Sequence, residues 1–463
     1  MKKLVPWITY IIFFAVLNET VFNVSTPKIA EQFSLTPAGV SWMMTIFMIF
    51  FGIGSVIYGR LSDIYSLKRL IIIGLIVYNI GSLMGFILQF SYPLVIIARA
   101  VQGMGGSAIP ALVFVAVARY FEPAERGKIF GLITSTVSLG IGLGPVIGGF
   151  VSGTLHWSYL FLIPPLMLIS TPFLIKVLPD EIRQKGTIDV PGAILVAITV
   201  GFLVVYLNFN QWYYLLAFIG FMLVFMVRSV SIPEPFINPA LFKNVRFRNG
   251  VIVGFSLFSI VIGILFLIPL MLHAVYGLET KQIGMILFPG AISSVIFGPV
   301  AGTLSDRKGN NYVVILGIIM LISSIILMSF LLSVSAYIIT IALLLTYVGF
   351  SFFQTAMINS VSLTLQEHET GVGMGVFNLL ATLAGAIGTA LAGKILDGGW
   401  LEFEFFPTVS NPKGYAYSNI LLLFSLVVLL GGLLYIYSFR NPPQISPVEQ
   451  KIQEPQKEKR KED

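Results

Sequence analysis

Long apolar runs separated by short polar, basic turns set the pattern of the whole chain. Fourteen runs can be traced, at about 6–26, 41–61, 70–90, 93–118, 128–151, 157–176, 189–207, 212–230, 250–272, 282–304, 312–332, 336–360, 372–394 and 418–438. Most hold about 18–24 residues, enough for a helix to cross ~30 Å of hydrocarbon. The pattern therefore predicts an all-α integral membrane protein with fourteen transmembrane helices. The break at 207–212 is the narrowest of the dividing turns.

Composition agrees, since 56% of the 463 residues are hydrophobic and only 11% charged, too apolar for an ordinary soluble domain. The Lys and Arg residues test the span count. With fourteen spans and a cytoplasmic N-terminus, only Lys28, Lys281, Lys394 and Lys413 fall outside, and Arg99 lies within a span. All the others fall on the cytoplasmic side, together with both termini, as the positive-inside rule requires. One missed span would invert everything after it. The net charge of +7 reflects these loops and gives no reason to expect nucleic acid. The absence of cysteine excludes disulfides, thiolate metal sites and cysteine nucleophiles. The first run has a short basic start and no small-residue cleavage site, so it reads as a retained span.

Two segments echo each other. GRLSDIYSLKR at 59–69 follows span 2, and GTLSDRKG at 302–309 follows span 10. Eight spans separate them, which fits two six-span halves with two extra spans inserted between, a parallel repeat of the kind secondary transporters use. The expected divisions are an N-terminal bundle at 1–188, an inserted pair at 189–230, a proline-rich basic connector at 231–249, a C-terminal bundle at 250–440 and a disordered cytoplasmic tail at 441–463.

Charges in hydrocarbon are costly and mark function by default. Glu19 in span 1 and Arg99 in span 4 sit at similar depth below the outer surface, so a direct or water-bridged pairing is expected. Glu19 then binds and releases a proton while Arg99 tunes it; the alternative is a permanent ion pair that only fixes the bundle. Asn18, Asn23 and Gln102 extend this polar patch. Asp63 and Asp306, each at the cytoplasmic end of a span, with Lys68, Arg69 and Arg307 nearby, suit gating contacts that form in one conformation and break in another. Gln354, Asn359 and Asn378 are candidate cavity lining or helix-to-helix glue. In span 5, Gly140, Gly144 and Gly148 recur every four residues and form a bare stripe that lets another backbone approach closely. Pro145 removes one helix hydrogen bond at that level and favours a bend. A span both bendable and close-packed suggests a moving joint.

Other motifs carry nothing. The stretch at 388–395 looks like a phosphate loop but lacks its final Ser/Thr and lies within span 13. Asn23-Val24-Ser25 matches a glycosylation acceptor inside or at the edge of span 1. His156, His273 and His368 are scattered, so no metal site is expected. No nucleophile and base come together, so the chain is not expected to be an enzyme.

The motifs together resemble the major facilitator superfamily, specifically its fourteen-span drug:proton antiporters, over nearly all of 5–440. GRLSDIYSLKR is similar to the loop motif after span 2, with Ser66 in place of the usual glycine. ARAVQGMGGSA at 98–108 is similar to the span 4 motif, in which Arg99 matches the arginine implicated in proton transfer. The stretch with Gly131, Gly140, Gly144, Pro145, Gly148 and Gly149 is similar to the antiporter motif, which within the superfamily marks exporters. LNETVFNVSTP at 17–27 resembles the span 1 motif of the fourteen-span group. The nearer likeness is to Gram-positive tetracycline efflux pumps, where Asp189 also resembles a retained carboxylate. Ile141 and Gly385 stand where those pumps typically carry glutamates.

The resemblance implies the major facilitator fold and efflux of a small-molecule drug in exchange for inward protons, across a Gram-positive plasma membrane. No cofactor is implied; a divalent metal would travel only as a drug chelate, and no oligomer is required. A multidrug antiporter of amphipathic compounds and a proton-coupled uptake symporter are the alternatives.

Overall fold

A computed structural model describes residues 2–62, 64–121, 123–181, 189–365 and 370–440. The helices are α1 (Val5–Val21), α2 (Thr26–Gln32), α3 (Pro37–Leu61), α4 (Leu67–Ile87), α5 (Tyr92–Gly106), α6 (Ala108–Tyr120), α7 (Pro123–Thr154) and α8 (Thr171–Val177). After them come α9 (Val190–Phe209), α10 (Trp212–Ser231), α11 (Val245–Tyr276), α12 (Thr280–Lys308), α13 (Asn310–Leu331), α14 (Ala336–Ser362), α15 (Thr370–Asp397) and α16 (Tyr415–Phe439). Thirteen segments among the described residues are long and apolar enough to cross a membrane. The 32-residue α7 makes the fourteenth crossing. The crossings alternate, so the start of α1 and the end of α16 lie at one end of the bundle, here the terminal end, and the opposite end is the far end.

Three spans depart from plain helices. Span 1 runs on to Gln32 and is interrupted by a short 3₁₀ turn, Asn23–Ser25, with Pro27 opening α2. Span 4 changes from α5 to α6 at Ser107. Span 6 is mostly 3₁₀, at Trp157–Leu162 and Pro164–Ser170, before the short α8. Pro164 and Pro165 together remove two consecutive amide donors there, which disfavours a regular helix. The narrow break after α9 is real, because Asn210 takes a left-handed conformation and caps that helix.

The core is divided in an informative way. At the far end, Leu17, Val21, Phe22, Met43, Val95, Trp157 and Phe161 join one continuous apolar core with the helices from α11 to α16. At the terminal end, Ile8, Ile12, Tyr58, Leu75, Leu112, Val117 and Leu174 form a separate core confined to α1–α8.

Candidate functional site

Glu19 lies in α1, with a further turn and all of α2 beyond it. At ~1.5 Å per residue this puts it about 20 Å from the end of the span at Gln32, deeper than a span ending near residue 26 would place it. The side chain is half-buried. Arg99 is completely buried, on the α5 face that packs against α3 and α4. Its Nε donates to the Met43 carbonyl (3.2 Å) and its Nη1 to Gln102 Oε1 (3.0 Å). The guanidinium lies between the Phe22 and Phe47 rings, 4.6 and 4.1 Å from their centroids. Gln102 Nε2 donates onward to Ser82 Oγ on α4 (2.8 Å).

Glu19 and Arg99 lie within range of one another's charge, but among the described residues no ion pair joins them. The expected direct contact is absent because a carbonyl, an amide oxygen and two aromatic faces already surround the guanidinium. Glycine makes this packing possible: a Cβ at Gly103 would collide with the Phe47 carbonyl, and one at Gly81 would lie 2.5 Å from the Gln102 nitrogen.

The α7 glycines serve two faces. A Cβ on Gly140 would lie 3.1 Å from the Phe13 carbonyl, and one on Gly144 or Gly148 would collide with Thr20 or Val21, all on α1. Gly149 instead faces α12, where a Cβ would lie 2.9 Å from the Thr280 carbonyl and 3.1 Å from Gly284 Cα. The Pro145 carbonyl meets Gly284 on that same side. One helix thus packs bare backbone against its own half and against the other. Of Gly131 only its place in α7 is described.

A second seam joins α3 to α15. Gly52 faces Thr382, the Thr45 hydroxyl donates to the Ala386 carbonyl (3.2 Å), and Gly393 packs on Pro37 and Ala38. At the far end the Ala38 amide donates to Asp397 Oδ2 (3.1 Å). Asp397 therefore caps α3 from the other half of the chain, beside Thr36, which accepts from Gly39. Two turns towards the terminal end, on the same faces, Gly59 and Gly375 meet nothing within 4 Å among the described residues, and neither does Gly302 on α12. Both seams are closed at the far end and parted at the terminal end. Asn378 is exposed one turn beyond Thr382, on the parted face of α15. Gln354 is half-buried on α14.

Four further candidates, Asn18, Asn359, Asp189 and Asn23, have other surroundings. Asn18 is completely buried in α1. Asn359 sits at the terminal end and donates to Asn310 Oδ1 (3.0 Å), tying α14 to the start of α13. Asp189 caps α9 by accepting from the Gly192 amide (2.9 Å), pairs with Arg228 of α10 (2.7 Å) and accepts from the Phe236 amide (3.1 Å). Burial opposes its charge, but the Arg228 and amide hydrogen bonds and the Arg228 charge outweigh that and hold the carboxyl below its ordinary value. It fastens the inserted pair to the connector. Asn23 lies in the turn that interrupts span 1, half-buried, its carbonyl accepting from Thr26 Oγ1 (2.9 Å).

Of the expected gating group, Lys68 pairs with Asp180 (3.1 Å), and Arg69 and Arg307 are exposed. Asp63, the Asp306 side chain and the tail lie outside the described residues. Ser66 needs no glycine, since its φ is −63° and its hydroxyl caps α4. The charge pattern missed Glu181, just after α8. Its Oε2 accepts from the Leu67 amide (2.9 Å) and it pairs with Arg119 (3.1 Å), whose Nη2 also donates to the Ser62 carbonyl. Burial opposes its ionisation, but these partners keep the carboxyl below its ordinary value. The acidic pair after span 6 was the available signal.

Comparison with known proteins follows from this architecture. The family profile described as Major Facilitator Superfamily matches residues 8–389. The chain is similar to the riboflavin transporter RibZ of Clostridioides difficile (strain 630), 27% identical over 398 residues, covering 83% of this chain and 87% of that protein. It is similar to the lincomycin resistance protein LmrB of Bacillus subtilis (strain 168), 26% identical over 432 residues and 86% of each. Among solved structures, a bacterial homolog of the human lysosomal transporter Spinster superposes with a TM-score of 0.69 at 14% identity, over 94% of this chain and 96% of that one.

Proposed function

The chain belongs to the Major Facilitator Superfamily, and on that premise we propose that it is a proton-coupled drug efflux antiporter of a bacterial cell membrane, with its terminal end in the cytoplasm. The observation that carries this reading is Glu19, a half-buried carboxylate deep in the bundle, beside a fully buried arginine and two seams parted at one end. A lipid-dissolved or cytoplasmic drug enters between the halves, and the seams along α7–α12 and α3–α15 then close behind it and part at the far end. Proton binding at Glu19 favours release and resets the carrier. A single carboxylate with opposite preferences for drug and proton suffices for exchange. The lincomycin resistance relative supports export of a drug.

Tetracycline is one substrate of this class, and the broader amphipathic range has an observation in its favour. Gly385 is hemmed in by Met48 and Ile262, and Ile141 packs against the apolar core of α1–α8. Neither position offers an oxygen ligand for a metal-drug chelate. The riboflavin transporter relative supports a second reading, proton-coupled uptake; substrate accumulation in energised cells, rather than depletion, decides for it.

The test is exchange in everted vesicles with tetracycline, with and without divalent metal, ethidium and quaternary ammonium compounds. Drug addition releases protons from wild type, and Glu19→Gln abolishes that release while still inserting in the membrane. Normal exchange by Glu19→Gln ends the role given to this residue.

A further inference from the structure

The N-terminal helices enclose polar atoms that no described residue satisfies. Both amide atoms of Asn18, the Tyr78 hydroxyl, Asn79 Oδ1 and Arg99 Nη2 are buried without a hydrogen-bond partner. Asn18, Tyr78 and Arg99 are each completely buried, and they come from three helices, α1, α4 and α5. The Asn18 amide lies against the Tyr78 hydroxyl, short of hydrogen-bond geometry, and Tyr78, Arg99 and Glu19 lie within range of one another's charge. Gly105 and Gly106 press α5 against Tyr78, where a Cβ on Gly106 would meet the ring at 3.1 Å. The Tyr78 ring is therefore held in place by close backbone approach.

Buried polar groups in folded proteins are nearly always satisfied, by the protein or by ordered water. The chemistry of this set selects the partner. Arg99 Nη2 and Asn18 Nδ2 only donate, Asn18 Oδ1 only accepts, and the Tyr78 hydroxyl does both. A cation would be repelled by Arg99. An anion would satisfy the donors and face the Asn18 carbonyl oxygen. Exchanging the oxygen and nitrogen of Asn18 permutes the orphans without removing them. Water alone, donating and accepting, fits every member.

We propose that Asn18, Tyr78 and Arg99 bind a small water cluster beside Glu19, and that this cluster relays the proton that Glu19 takes up and gives back. The role of the cluster rests on the antiport reading; its existence does not. In the relay, a proton leaving the Glu19 carboxyl bonds to the nearest water oxygen, and one proton leaves the water at the other end, so the cluster keeps its composition. Arg99 stays charged and discourages a proton from lodging among the waters, so the charge passes through. Tyr78 and Asn18 are positioning residues, and the titratable and charged groups facing the site are Glu19, Tyr78 and Arg99.

Two measurements on the full-length protein in liposomes test this. In X-ray radiolytic labelling in H2¹⁸O, the cluster is activated in place, so buried Tyr78 gains ¹⁸O-labelled hydroxyl, and Asn18→Leu suppresses the labelling at Tyr78. An unlabelled Tyr78 in wild type overturns the water site. In transport, Tyr78→Phe slows drug-driven proton movement roughly tenfold, as the loss of one hydrogen bond would, and lowers its solvent isotope effect, while drug–drug counterflow, which moves no net proton, falls by less than twofold. Equal losses in both assays, or none in either, overturn the relay. A wild type that carries drug without moving protons overturns the antiport reading and the relay together, and leaves the water site to the labelling result.

Discussion

Among single residues, the sequence marks which groups matter better than what they touch. A charge in hydrocarbon is so costly that Glu19 and Arg99 stand out without any structure. Their surroundings do not. Arg99 is enclosed by Met43, Gln102, Phe22 and Phe47, and no charge pattern announces two phenylalanines and a backbone carbonyl. Asp189 shows the converse, since a carboxylate beside a span looks like a site while its contacts are a helix cap and the Arg228 pair. Its hydrogen bonds and Arg228 depress its pKa, so its ionised form stabilises the fold. That contribution is complete above the ordinary carboxylate value of about 3.9 and is lost as pH falls through the lower folded value. Thermal unfolding in detergent therefore shows wild type more stable than Asp189→Asn by a constant margin from pH 5 to 8 (a range of about three units). The margin shrinks below about pH 4.

At the scale of elements, helices were legible because hydrocarbon leaves the backbone no other partner, and the apolar lengths show through directly. Breaks inside spans were not legible. Nothing in the hydropathy of 17–32 distinguishes a continuous span from one interrupted at Asn23–Ser25, and the depth of Glu19 depends on that difference. The glycine stripe was visible as a close-packing surface, but its two directions were not, because adjacent positions on one helix face different neighbours. The two faces predict different failures. Gly144→Leu forces a side chain into Thr20 of the same half and costs about 1–3 kcal/mol of stability, read as a lower melting temperature with less transport. Gly149→Leu collides with α12 across the seam, so its main effect is to part the far end, read as faster maleimide labelling of a cysteine at position 281. Identical behaviour of the two variants would contradict the two-faced reading of α7.

For the whole molecule, one hydrogen bond summarises the conformation. Asp397 of one half caps α3 of the other at the far end, where Leu17, Val21, Phe22 and Met43 share one apolar core with the C-terminal helices. Losing a helix cap costs about 1 kcal/mol, a factor of about five in an equilibrium. Asp397→Ala should therefore raise far-end labelling of Ala38→Cys several-fold, and an unchanged rate would show that the cap does not hold that end shut. By itself the sequence determined the class of protein, the number of crossings and the residues whose cost demands an explanation, because the bilayer imposes length, apolarity and charge placement locally along the chain. Only the tertiary structure decided which end is closed, that α7 serves both halves, and that Asn18 and Tyr78 share a buried polar site with Arg99. Those outcomes depend on residues distant in sequence arriving at one place, and close backbone approach at glycine leaves no side-chain pattern from which to read the partner.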